Sequence, residues 1–146
     1  MIVDLDGEIY YWKSSPGING GHVNFGTILK KSYANILYVK KEKRLEEYRK
    51  LFNPDAPSRM KCNYASPGLI GFCQKNNLWR KGGSIYEVQV YGKGYLTDGD
   101  IYTEFIKCKK KDEYNIAKKY WNFNNSYNIR PELIIDGKVI IRYKIC

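Results

Sequence analysis

Two stretches of strict alternation, preceded by one of helical spacing, constrain this chain most. In SIYEVQVYG, residues 84–92, Ile85, Glu87, Gln89 and Tyr91 face one way, and Tyr86, Val88 and Val90 the other. Met60, Cys62 and Tyr64 alternate in the same way with Lys61, Asn63 and Ala65. Ahead of both, from Glu42 to Phe52, the period is different: Leu45, Tyr48, Leu51 and Phe52 share one helical face, and Lys43, Glu46, Glu47 and Lys50 the other. Asn53-Pro54 ends that helix. Both periods in 146 residues predict one α+β domain over 1–146, with short antiparallel strands and two or three short helices.

Further elements follow from local signals. EIYYWK, residues 8–13, reads as an aromatic strand, and SSPGINGGH, residues 14–22, as a loop dense in turn formers. Gly26 and Thr27 open a short segment in NFGTILKK. A short helix is expected around 68–76, and GKGYLTDGD reads as a glycine-rich loop. Ile101–Ile106 reads as extended or as a brief turn. Asp112 is a predicted N-cap for a helix to Trp121, with Tyr114, Ala117, Tyr120 and Trp121 as its apolar face. Asp136-Gly137, between the apolar runs of ELIIDGKVIIRYKI, predicts a hairpin turn.

Composition narrows the function classes. The longest apolar run is a few residues, so no membrane span or secretory leader is expected, and the chain reads as cytoplasmic, in a bacterial or phage-like setting. Cys62, Cys73, Cys108 and Cys146 form no C-x-x-C pair, and His22 is the only histidine, so no metal site is expected. The cysteines read as buried or incidental thiols. A net charge of +10 comes from 19 lysines and only 6 arginines, beside 14 tyrosines and 12 asparagines. That skew has two readings: A/T-rich codon drift, or an anionic partner such as nucleic acid or a phosphate-bearing nucleotide. No P-loop, G-x-G-x-x-G or G-x-S-x-G frame is present. The carboxylates Asp98 and Asp100 follow the best strand, with Glu104 just beyond. They are either a solvated acidic turn or a strand end presenting an acid to a cleft. Tyr10, Tyr11, Trp12, Tyr64, Tyr95 and Tyr102 are core aromatics, or in part a sandwich for a planar ring.

The order of the pieces resembles the ADP-ribosyltransferase fold, in the branch of the rifamycin ADP-ribosyltransferases and related small bacterial proteins. YYWKSS and NFGTILKK stand where that branch has its opening aromatic strand and following segment. KCNYASPGLIGFC matches its tyrosine strand, and SIYEVQVYGKGYLTDGD its strand ending in a glycine, an aromatic and a carboxylate. PDAPSR and IAKKYWN…PELIIDGKVII also resemble the relatives.

The resemblance implies a split β-sandwich and an enzyme that takes NAD as its substrate and transfers ADP-ribose. By that likeness Tyr64 stacks on nicotinamide, followed by the small residues Ala65 and Ser66. Asp98, with Asp100 as competitor, orients the ribose and favours the oxocarbenium-like transition state. The family's ribose-binding histidine falls on Trp12, which cannot accept a hydroxyl hydrogen bond. Either Lys13, Ser14 or His22 substitutes, or the site binds without turnover. Arg59, in the Pro-Ser-Arg stretch, is placed to fork onto pyrophosphate, or is an exposed turn arginine. The acceptor is left open among nucleic acid, protein and a small molecule.

Three function classes result: transferase, binding-only nucleotide module, and basic nucleic-acid-binding domain with Lys118-Lys119-Tyr120-Trp121 as interleaved charge and ring. The first requires Trp12, Tyr64 and Asp98 to line one cleft. Tyr64 is expected half-exposed on its floor, so that Tyr64→Ala weakens nucleotide binding by about 1–3 kcal/mol with little effect on stability.

Overall fold

The computed structural model describes residues 1–14, 23–33, 38–68, 84–124 and 131–145. Five strands and three helices follow in chain order: β1 Ile2–Lys13, β2 Ser32–Tyr33, α1 Val39–Phe52, β3 Lys61–Ala65, β4 Ile85–Asp98, α2 Gly99–Lys107, α3 Glu113–Trp121 and β5 Pro131–Lys144. The class is α+β, as the two periods predict. Every described strand pair is antiparallel, in the order β1-β4-β5-β3-β2.

Three strands are far longer than the sequence suggests, and glycine is the reason. Asp136-Gly137 is not a hairpin turn. It lies inside β5, where Asp136 pairs with Lys93 and Gly137 with Gly92. A Cβ on Gly137 would sit 1.9 Å from the Tyr91 carbonyl oxygen, and Gly92 has φ +114. The two glycines therefore face each other where the backbones of β4 and β5 approach too closely for any side chain. The same reasoning corrects GKGYLTDGD, which is the second half of β4 up to Asp98 rather than a loop.

Residues 101–106 form α2 rather than an extended segment. Asp98 starts it: its carboxylate accepts a 2.8 Å hydrogen bond from the Asp100 N–H. Ile101 and Phe105, four apart, then enter the core, and this burial outweighs the strand preference of Ile-Tyr-Thr. α1 and α3 lie where the periodicity places them. Asp112 sits at the N-cap of α3 but makes no side-chain cap hydrogen bond. Leu51 and Tyr114, assigned to apolar faces, are 64% and 48% exposed. The helix expected around 68–76, and most of the 14–22 loop, lie outside the described residues.

The sheet is closed as well as long. Tyr11 N–H donates to the Ser66 carbonyl at 2.9 Å and Ser66 N–H to the Tyr11 carbonyl at 2.8 Å. Ser66 follows directly on β3, so the ladder β1-β4-β5-β3 returns to β1. Where the resemblance implies a split sandwich, the described strands form one continuous sheet that turns back on itself. Alternation then separates two cores. Val88, Val90, Leu133 and Ile141 fill the inside of the curve with Trp12 and Tyr10 against them. Tyr95 and Ile134 point outward to the helices, where they meet Leu45, Phe105, Tyr120 and Trp121. Complete burial of a side chain such as Leu45 or Phe105 stabilises this layer by about 1.5–3 kcal/mol each.

Candidate functional site

The densest polar constellation lies under the helices, around Arg59. The loop that carries it is tied to α1: Ser58 Oγ donates to Glu46 at 2.9 Å, and Arg49 donates to the carbonyls of Pro54 (2.8 Å) and Ala56 (2.9 Å). The side chain of Arg59 is thereby turned inward and is only 6% exposed. Its Nε and Nη2 each lie 3.3 Å from the Glu42 carboxylate. Nη1 donates to Tyr120 Oη at 2.8 Å and to Glu132 Oε1 at 2.5 Å. The guanidinium plane lies 3.7 Å from the Tyr102 ring centre and 5.0 Å from that of Tyr64. Tyr102 Oη donates to Glu42.

Electrostatics fix the charge state of this cluster. Burial alone would push the Arg59 pKa down, but Tyr120, Glu132, Tyr64 and Glu42 outweigh it, and the net shift is upward. Burial likewise raises the phenols of Tyr120, Tyr64 and Tyr102, which stay neutral donors. Every direction in which the Arg59 fork points is taken by a carboxylate or a phenol, so the fork is not open to pyrophosphate. Arg59 is instead the bond between α1, α2, α3 and β5.

Tyr64 belongs to the same neighbourhood. It is half-buried, packs against the helix-side core, and donates to the Arg59 carbonyl at 3.3 Å. Trp12 lies on the other face of the sheet, in the inner core, its ring 6.0 Å from that of Tyr86. Asp98 is occupied at the start of α2, next to Asp100. The structure therefore does not bring Trp12, Tyr64 and Asp98 into one cleft. Ser14 is buried and exchanges hydrogen bonds with Ser84, at 3.1 Å from the Ser84 N–H and 3.3 Å to its carbonyl. His22 lies outside the described residues.

Other predicted residues do come together, at the closure of the sheet. Ser66 pairs with Tyr11, Tyr11 with Glu87, and Glu87 with Tyr143, in direct cross-strand register. Directly opposed residues share a face. A phenol, a carboxylate and a second phenol thus form one row on the outer face, ending at the buried Ser66, 4% exposed with its hydroxyl bonded to Gly68, and with Lys13 two residues along β1 on the same side. Tyr11 and Glu87 are half-buried, and Tyr143 is exposed.

Glu42, Glu132, Tyr102 and Tyr120 were missed as partners of Arg59. Glu42 alone left a trace: it stands three residues before Leu45, on the apolar side of α1.

Tyr120 and Trp121 are fully buried, so the Lys118-Lys119-Tyr120-Trp121 stretch offers lysines to a partner but no rings. Burial pushes the Cys62 thiol up to about 12, leaving it an inert core group. Among the described residues no group of three or more His, Cys, Asp or Glu is placed to hold a metal. Among them, too, no helix is long and apolar enough to cross a membrane.

No curated protein matches the chain. A family model does match, over residues 9–146, which takes in every described helix and all of the described sheet except residues 2–8 of β1. The chain belongs to the family described as "Protein of unknown function (DUF2441)".

Proposed function

We propose that this protein is a nucleotide-binding module of ADP-ribosyltransferase-like build, which holds NAD or ADP-ribose without transferring it. The observation that carries the reading is the Ser66–Tyr11–Glu87 row. It joins the two segments on which the resemblance rests most, YYWKSS and CNYASPG, at the place where the sheet closes. The Tyr11 phenol beside the Glu87 carboxylate offers a ring face to a planar base and acceptors to ribose hydroxyls, while the buried Ser66 fixes the position of Tyr11 through its backbone. Lys13 on the same face supplies a point charge for phosphate. Binding without turnover is favoured because Trp12 packs inward where a ribose-binding histidine would stand, and because Asp98 caps α2.

The test is calorimetry of the intact protein with NAD and with ADP-ribose, alongside a nicotinamide-release assay. Binding that weakens in Tyr11→Ala, with no nicotinamide released, supports the module. Nicotinamide release that disappears in Glu87→Gln would make the protein a transferase with Glu87 as its acid. Absence of binding to either compound removes both readings.

A further inference from the structure

The outer surface formed by the end of α2, the turn Lys110–Asp112 and α3 carries six lysines: Lys107, Lys109, Lys110, Lys111, Lys118 and Lys119. All six are exposed. They are so because Ile116, Ala117, Tyr120 and Trp121 occupy the core side of α3. Of these six, Lys119 has an ion pair within the described residues, at 3.9 Å from Glu104, and both of these side chains are more than half exposed. Such a pair is worth little. Glu113, two residues after Lys111, does not offset this charge outside. It is turned inward, 1% exposed, and neutralised by Lys41 (3.0 Å) and Arg44 (2.9 Å). Only Glu104 and Asp112 remain as exposed carboxylates on this surface. A groove of about 580 Å³ runs between the two helices, with Lys107 and Lys119 on its walls beside Cys108 and Asn115.

We infer that this lysine face docks on the phosphate backbone of a double-stranded nucleic acid, without reading its sequence. Charge complementarity selects the class of partner, because a duplex carries about one negative charge per 1.7 Å of axis. The chemistry of the face selects the form. Single strands are held by stacking successive bases on exposed rings, and here Tyr120 and Trp121 are buried. The nearest exposed ring, Tyr114, has its edges packed on Phe52 and Tyr48. Base edges are best read by forked or amide side chains, whereas lysine is a point charge suited to phosphate. This inference is independent of the nucleotide reading, whose row of residues lies on β1, on β4 and just after β3.

The test uses the whole protein and a labelled duplex of about 20 base pairs, titrated between about 50 and 200 mM salt. Four or five phosphate contacts predict a log K against log salt slope of roughly −4, hence a loss of roughly 10²-fold in affinity across that range. Lys110→Gln/Lys111→Gln should weaken binding at low salt and reduce the slope by about 2. Lys30→Gln/Lys93→Gln, exposed lysines ahead of β2 and on β4, should leave it unchanged. All four positions are exposed, and unchanged thermal melting verifies that the variants fold. The inference is overturned by no duplex binding at low salt, by an unaltered slope in the Lys110/Lys111 variant, or by tighter binding to the matching single strand. Stronger capture by phosphatidylserine vesicles with the same lysine dependence would overturn it in favour of a membrane surface.

Discussion

Replacing Arg59 by methionine isolates what the buried cluster contributes. Methionine keeps most of the volume and removes the charge. The change strands Glu42, 2% exposed, with Tyr102 as its remaining donor, and takes the guanidinium away from Glu132 and Tyr120. Removing one partner of a buried ion pair costs about 3–5 kcal/mol, because the other charge stays desolvated and unpaired. For a chain of this size each kcal/mol moves Tm by roughly 2–4 °C, so Arg59→Met should melt about 10–15 °C lower. The double variant Arg59→Met/Glu42→Gln removes the stranded charge as well, and should recover at least half of that loss. Circular dichroism melts of the three proteins, with urea titrations followed by the fluorescence of the three tryptophans, measure both quantities. If Arg59→Met melts within about 2 °C of the parent, the guanidinium is not part of the core and the cluster is misread. If it does so while losing NAD affinity, Arg59 is the pyrophosphate ligand that the Pro-Ser-Arg resemblance suggests.

Gly137→Ala should destabilise by on the order of 2–4 kcal/mol, since the new methyl meets the Tyr91 carbonyl, whereas Gly26→Ala, strained at φ +81 but in open space, should cost only about 1 kcal/mol; urea midpoints compare them. Tyr64→Ala should lower stability by about 2–4 kcal/mol, because the ring packs on the helix-side core and under Arg59; a normal melt would return Tyr64 to the ligand-facing role. Glu113 gives a pH prediction. Burial alone would raise its pKa, but hydrogen bonds and charge from Arg44 and Lys41 outweigh that and hold it below the ordinary carboxylate value. Its stabilising contribution is therefore complete above about pH 4.3 and fades as pH falls through the lower native value, so Glu113→Gln should flatten the acid limb of stability; an unchanged acid limb in urea titrations would refute this.

What the sequence makes legible is local. α1 and α3 are readable because Leu45 and Tyr48, or Ala117 and Tyr120, repeat at helical spacing, and the faces of β4 are readable from plain alternation through Val90. Misreadings cluster where a tertiary contact changes the meaning of a residue. Gly137 punctuates a turn in isolation but permits a close strand crossing opposite Gly92, which lies far away in the chain. α2 carried a visible signal, Asp98 as cap, masked by β-favouring Ile101 and Thr103. The candidate sites were less legible still. Arg59 gathers Glu42 from one helix and Glu132 from a strand, and Ser66 meets Tyr11, none of them linked by any spacing rule. The aromatic strand and the end of the tyrosine strand do meet, yet the side chains brought together are Tyr11 and Ser66, and Tyr11 is one residue out of phase with Trp12. In a sheet, one residue is the whole difference between surface and core.

The closure of the sheet also dictates when this protein can fold. β1 has its full ladder only with β4, from Ile2 opposite Tyr95 to Lys13 opposite Ile85. Its other edge waits for Ser66. At about 5–20 residues/s of synthesis, the aromatic run Tyr10-Tyr11-Trp12 therefore stays unpaired for roughly 5–20 s after it is made. Pairings of such long range fold slowly, and an unpaired strand of this composition is a template for association in the meantime. α1 can form meanwhile as a local unit, leaving the two-bond Tyr11–Ser66 clasp among the last contacts to be made. A late contact governs escape from the native state more than entry into it, so weakening that clasp should speed unfolding and leave the folding rate almost unchanged.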